Sequence, residues 1–289
     1  MPSKKKSVVV SVRLDEAALA AVDLLVESGL ESNRSRAATQ LIGAGIGASA
    51  ELLRKARELA DQVKRLRGEM IEAVKTGRTD KVSELLRRDP SLANARGESG
   101  ETAILMAAYY RSASVKELLL EHGAELGVYE AAAVGSTQRV AEWLEREPGL
   151  LGSYSPDGYT LLGLAAHFGS EETAAYLLER GAYVDQRSRD GNLDNMAIHA
   201  AIAGNYPQLV RLLLGRGADV NAVCAGKWRP GFAALHVAAY FGRDAMIPLL
   251  LEAGADRGAR TADGRTAAEV AVLREHPETA RLLQGEFNQ

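Results

Sequence analysis

The chain has 289 residues, 46% apolar and 25% charged, a balance that excludes wholesale disorder, a collagen-like repeat and a membrane-embedded bulk. Aromatic residues are only 5%, so Ala, Leu and Val must supply most of the core, which favours packed helices over a β-sandwich. The net charge of −3 hides a division: residues 1–70 carry 12 Lys and Arg against 9 Asp and Glu, and residues 71–289 carry 23 against 29, as expected when one region handles a polyanion and the other does not.

The chain opens with Lys4, Lys5 and Lys6, but only three apolar residues follow before Ser11 and Arg13, too few for a signal-peptide core. No stretch approaches the ~18 continuous apolar residues of a membrane span. A single cysteine, Cys224, excludes an internal disulfide and any zinc site needing two thiolates. The expected setting is cytoplasmic, with no membrane and no cofactor.

Residues 7–14, SVVVSVRL, alternate so that Val10, Val12 and Leu14 share one face and Val9, Ser11 and Arg13 the other, which predicts a strand. Asp15 then caps an amphipathic helix through about Ser28, Gly29 turns the chain, and Ser32 caps a second helix to about Ile42. A lone strand leaves its ladder unpaired, and the same strand of a second copy is the readiest partner. Residues Ser11 to Ile46 resemble the ribbon-helix-helix family, whose dimers form a two-stranded antiparallel ribbon. The Leu14-Asp15 pair and the Arg34-Ser35 helix start carry the resemblance; Arg36 stands where many members have an acid.

That resemblance implies an obligate homodimer over residues 1–48 that binds double-stranded DNA. Val9, Ser11 and Arg13 would face base edges in the major groove, where Arg suits guanine and Val a thymine methyl. Ser32, Asn33, Arg34, Ser35 and Arg36 offer hydroxyl, guanidinium and backbone donors to a phosphate, a role compatible with an ordinary helix cap. Lys4, Lys5 and Lys6 would add salt-dependent attraction, or serve only as a solubilising tail.

Across residues 49–69 and beyond, Leu52, Ala56, Leu59, Val63, Leu66, Met70 and Ala73 keep heptad spacing. The segment fits a short parallel coiled coil or a single linker helix that caps the C-terminal region. Gly43-Ala-Gly45-Ile-Gly47 is no dinucleotide loop, because it comes after a helix where that motif requires a strand.

From residue 70 to 289 the chain repeats one pattern: a Gly-led turn, a short helix with Ala-Ala, then a second helix with Leu-Leu and a closing Gly-Ala. Copies include GETAILMAAYYRSASVKELLLEHGAEL from Gly100, DGYTLLGLAAHFGSEETAAYLLERGAYV from Asp157 and GFAALHVAAYFGRDAMIPLLLEAGAD from Gly231. Gly158 to Gly191 is 33 residues, and so is Gly231 to Gly264. This resembles the ankyrin repeat, and degenerate copies from Met70 and Tyr129 bring the expected number to about seven. The family's Thr-Pro-Leu-His turn lacks Pro throughout, as in Met196-Ala-Ile-His199 and Ala233-Ala-Leu-His236. No helix pair can bury both its Ala and its Leu faces alone, so the copies must stack. The expected fold class is therefore mainly α, a ribbon-helix-helix domain with a helical linker and an α-solenoid.

His199 and His236 sit at the repeat turn, where an imidazole bonds neighbouring backbone, and no acid, base, nucleophile or Walker motif suggests an enzyme. After the Ala-Ala pairs come Tyr109-Tyr110, His167-Phe168 and Tyr240-Phe241, which stacking aligns near the inner groove, either to meet a protein partner or to pack between repeats. Gly191 to Gly231 spans 40 residues, and the excess falls on 223–230, so Lys227, Trp228 and Arg229 read as a contact site on a projecting loop or as a folded-back anchor. The expected function is a dimeric DNA-binding transcriptional regulator of prokaryotic type whose repeats bind a protein. The alternative is an interaction scaffold, or an antitoxin-like protein, that uses the N-terminal fold mainly to dimerise.

Overall fold

The computed structural model describes residues 13–48, 50–98 and 100–285, in two compact units that divide between Arg65 and Leu66. Among the described residues there is no strand, only isolated bridges from Arg96 to Thr102 and from Tyr154 to Thr160. Of the strand expected over residues 7–14, residues 7–12 lie outside the described residues, and Arg13 and Leu14 are irregular and exposed. Lys4, Lys5, Lys6, Val9 and Ser11 lie outside the described residues.

In the first unit, α1 (Glu16–Glu27) starts at Asp15, whose carboxylate accepts the Ala18 N–H at 2.8 Å. The second helix, α2 (Arg34–Ala48), is capped by Asn33, which accepts from the Arg36 N–H at 3.0 Å, and not by Ser32 as expected. It runs on through Gly43 and Gly45. Between them these two helices bury only Val22 and Ala37, and Leu24, Leu30, Ile42 and Ile46 face solvent.

The helix α3 (Ala50–Lys75) carries the heptad seam, and its environment changes along its length. Leu52, Ala56, Leu59 and Val63 are exposed, whereas Leu66, Met70 and Ala73 are buried in the core of the second unit.

That second unit is a row of seven helix pairs. The end of α3 pairs with α4 (Thr79–Arg88), α5 (Ala103–Tyr109) with α6 (Ala113–Glu121), and α7 (Val128–Val134) with α8 (Thr137–Arg146). The remaining pairs are α9 (Leu161–Phe168) and α10 (Glu171–Glu179), α11 (Ala197–Gly204) and α12 (Pro207–Gly215), α13 (Ala234–Phe241) and α14 (Met246–Glu252), and α15 (Ala267–Leu273) and α16 (Pro277–Gln284). The Ala pairs 107–108, 165–166, 200–201 and 238–239 are buried on the first helix of each pair, where a small side chain lets neighbouring backbones approach. Leu85, Leu119, Leu144, Leu177, Leu213, Leu250 and Leu283 fill the core from the second helices. Each burial depends on the next pair, which makes the stack continuous. Among the described residues no helix is long and apolar enough to cross a membrane.

Five of the first helices begin at a turn whose cap has one of two chemical solutions. Thr102, Thr160 and Thr266 accept an N–H from three residues on through their hydroxyls. Where Thr is missing, His199 and His236 reach back and accept the Met196 and Ala233 N–H groups at 3.2 Å through Nδ1. Their Nε2 atoms lie 2.9 Å from the Ala222 carbonyl and 3.1 Å from the Arg265 carbonyl, so each imidazole ties its own turn to the next one.

Candidate functional site

The paired insertion is the main departure from regular stacking. In regular turns the Gly lies two residues before the helix cap, as from Gly158 to Thr160, but Gly191 stands five before Met196. Three of the extra residues are therefore at 192–195, a site the sequence reading missed. The other four lie between Cys224 and Gly231, which close a turn with the Gly231 N–H on the Cys224 carbonyl at 2.9 Å. The two enlarged loops bond to each other: the Gly226 N–H donates to the Leu193 carbonyl and the Trp228 N–H to the Asn192 carbonyl, both at 2.9 Å. Arg187 adds donors to the Asp194 and Val223 carbonyls, and a Cβ at Gly226 would stand 2.4 Å from the Asn192 carbonyl oxygen.

This backbone pairing converts the expected projecting loop into a braced platform. Trp228 remains 65% exposed on it, and Lys227 is exposed beside it. Arg229 turns inward, its guanidinium carbon 4.4 Å from the centre of the Tyr240 ring and 4.9 Å from that of Phe241. From the last repeat Arg274 comes within 4.2 Å of the same Tyr240 ring. Trp228, Phe232, Tyr240, Leu273 and Arg274 line a cleft of about 310 Å³ there.

A second aromatic group sits on earlier repeats. Tyr109 meets Phe168 edge-on with ring centres 5.0 Å apart and lies 5.9 Å from His167. The intervening repeat carries only Ala133 and Val134 at the matching places, so a ring from one side can reach the other. Tyr110 is exposed, and Phe168 and Phe241 pack partly against the core. An open cleft of about 910 Å³ beside Tyr109 is lined by Tyr129, Tyr159, Leu105, Met106 and Leu164, with Glu101, Glu130, Asp157 and Asp190 against Arg96 and Arg189. Burial pushes the Tyr159 hydroxyl up to about 12, and the nearby Asp190 and Asp157 act in the same direction. Tyr109 is raised by the same causes.

His199, His236, Cys224 and Asp190 are each held by the fold. His199 and His236 hold turns, and Cys224 is buried, which pushes its thiol up to about 11 and away from the reactive thiolate. Asp190 accepts from the Asn192, Leu193 and Asp194 N–H groups and from the Ser188 hydroxyl, which hold its carboxyl below the usual range despite partial burial.

Of the residues expected to meet phosphate, Arg34 makes a two-point ion pair with Asp23, at 2.5 and 2.9 Å, that joins α1 to α2. Arg36 bonds the Ser32 hydroxyl at 3.3 Å, and the Ser35 carbonyl accepts from Thr39. Arg13 is exposed.

A family model described as ankyrin repeats, in three copies, matches residues 128–224 and 198–289. The chain is 26% identical over 211 residues to the transient receptor potential cation channel subfamily A member 1 homolog of Caenorhabditis elegans, covering 70% of this chain and 17% of that protein. It is 34% identical over 155 residues to the E3 ubiquitin-protein ligase KEG of Arabidopsis thaliana, 53% of this chain and 9% of that one. It is 31% identical over 175 residues to the B-cell lymphoma 3 protein homolog of Mus musculus, 61% of this chain and 33% of that one. The chain thus spans a third or less of each of these relatives.

Proposed function

Given that this chain belongs to the ankyrin-repeat family, we propose that it acts by binding a protein partner on the inner face of its repeats, with no catalytic role. The observation that carries this reading is the open cleft of about 910 Å³ lined by Tyr109, Tyr129 and Tyr159, with His167 and Phe168 packed against the Tyr109 ring, an aromatic surface of the kind that anchors protein contacts. The test is capture of partners from cell extract by the full chain, with cross-link mapping. A partner should cross-link beside Tyr109 and Tyr110, and Tyr109→Ala with His167→Ala should weaken capture by roughly thirtyfold, the loss of one interface anchor of about 2 kcal/mol. Cross-links confined to residues 13–65, or capture unchanged in the double variant, would refute it.

A second reading, a homodimer that binds DNA, rests on the exposed apolar residues of the first unit. Leu19, Leu24, Leu41, Ile42 and Ile46 are exposed on two helices that bury only Val22 and Ala37 among the described residues, Leu14 and Leu30 are exposed just outside them, and Leu52, Leu59 and Val63 are exposed along α3. So little burial does not sustain a monomeric helical fold. A second copy would cover these residues and supply the partner strand that the alternating pattern of residues 7–14 calls for. The full chain is expected to sediment as a dimer at micromolar concentration and Leu59→Glu with Val63→Glu as a monomer. A monomeric parent removes both the dimer and the DNA reading. For a dimer, a mobility shift at low salt that Arg13→Ala abolishes supports regulation, and equal binding by the variant opposes it.

A further inference from the structure

The cleft between the braced loop and the last repeat differs from the first cleft in charge. Its lining carboxylate is already committed: Asp263 pairs with Arg265 at 2.5 Å and accepts from the Thr261 hydroxyl. Arg229 and Arg274, by contrast, stack on aromatic rings, and no carboxylate among the described residues forms an ion pair with either. Two guanidiniums thus converge on one tyrosine, each with donors unspent, next to exposed Trp228 and a Leu273 that is 60% exposed. A guanidinium stacked on a ring keeps its edge free, and that edge suits a carboxylate in a two-point bond.

We infer that this cleft holds an acidic, leucine-type peptide segment of the partner, with one carboxylate on Arg274 in its lining, a second on Arg229 beside it on the Tyr240 ring, and apolar side chains against Trp228 and Leu273. The inference rests on the protein-binding reading and names the chemistry of one part of the partner. Charge favours a short peptide over a long nucleic acid here: residues 71–289 carry 29 acidic against 23 basic side chains, a net negative balance that disfavours a continuous polyanion running along the repeats. A peptide places its few acids only where the arginines stand. The insertion is what makes the site, because the bonds from Gly226 and Trp228 to the 192–193 backbone set where Arg229 enters.

The experiment titrates the full chain with a short fluorescein-labelled peptide of alternating glutamate and leucine and follows anisotropy, with Trp228 emission as a second readout. The expected result is saturable binding that changes Trp228 emission, weakens as salt rises, and falls by at least about tenfold in Arg229→Gln with Arg274→Gln. A lysine-leucine peptide should not bind. Glutamine substitution at these two partly exposed positions retains side-chain length, and an unchanged circular-dichroism melt verifies that the variant folds. Absent binding, or binding equal in parent and variant, overturns the inference. So does an oligothymidylate that binds through the same arginines more tightly than the peptide. In either case, partner capture at Tyr109 still tests the broader reading separately.

Discussion

Gly158→Ala is expected to destabilise the repeat unit by about 3 kcal/mol, against about 1 kcal/mol for Gly181→Ala, in urea unfolding followed by circular dichroism. Both glycines have left-handed backbone, φ +88° and +91°, so a Cβ incurs the same conformational strain at each. Only at Gly158 does that atom collide. It would stand 2.5 Å from the Arg189 carbonyl oxygen and 2.8 Å from the Asp190 nitrogen, both backbone atoms that cannot swing away, whereas nothing lies within 4 Å at Gly181. The same contact carries the bond from the Arg189 N–H to the Gly158 carbonyl at 2.7 Å, which links one turn to the next. Separating the turns to admit the methyl group loses that bond and loosens two repeats at once. Equal losses in the two variants would mean that backbone strain alone acts and that the turns are not in close contact.

The second large effect is acid sensitivity centred on His199. Burial lowers its pKa to about 4, opposed by the hydrogen bond to the Ala222 carbonyl. In the unfolded chain a histidine titrates near 6.5. The folded value is the lower one, so the unfolded state takes up a proton first as pH falls, and stability present above about pH 6.5 is lost on the way down to 4. At pH 5 the loss from His199 is about 2 kcal/mol relative to pH 7.5. His236, also lowered by burial, adds in the same direction. The depressed Asp190 titrates below this window and does not contribute to the slope. Unfolding free energies at pH 7.5, 6 and 5 should show the decline in the parent. His199→Ala should be less stable at pH 7.5 by about 2 kcal/mol, since it strands the Met196 N–H and the Ala222 carbonyl, and should show a shallower decline. A variant with the parent's slope would assign the acid sensitivity to other groups.

Much of the repeat architecture was legible because it is written in spacing. The 33-residue interval, the Ala pairs and the Leu positions each report one face of one helix, and burial tracks them closely from Met70 to Leu283. The turn histidines were readable for the same reason, since a residue three positions into a helix can reach back to its own cap, whereas their bonds to the next turn were not. The insertion was legible in amount and not in place. Its seven extra residues look like one loop in sequence, yet they divide between two turns that meet through backbone hydrogen bonds, which no side-chain pattern records.

The N-terminal region shows the opposite balance. Its alternating strand pattern states a need for a partner strand without containing one, and the described residues of that region are helical or irregular. The ankyrin match covers residues 128–289 and leaves this part to the dimer and DNA tests.

By itself, the sequence determined the repeat period, the helix pairs and the residues that face the core, because local propensity and periodicity act within a few residues along the chain. Only the tertiary structure decided that the two enlarged turns brace one another, that Arg229 and Arg274 both stack on Tyr240 with no carboxylate partner among the described residues, and that the heptad seam becomes core at Leu66. Those are contacts between residues far apart in the chain, and their positions are set by how the repeats stack.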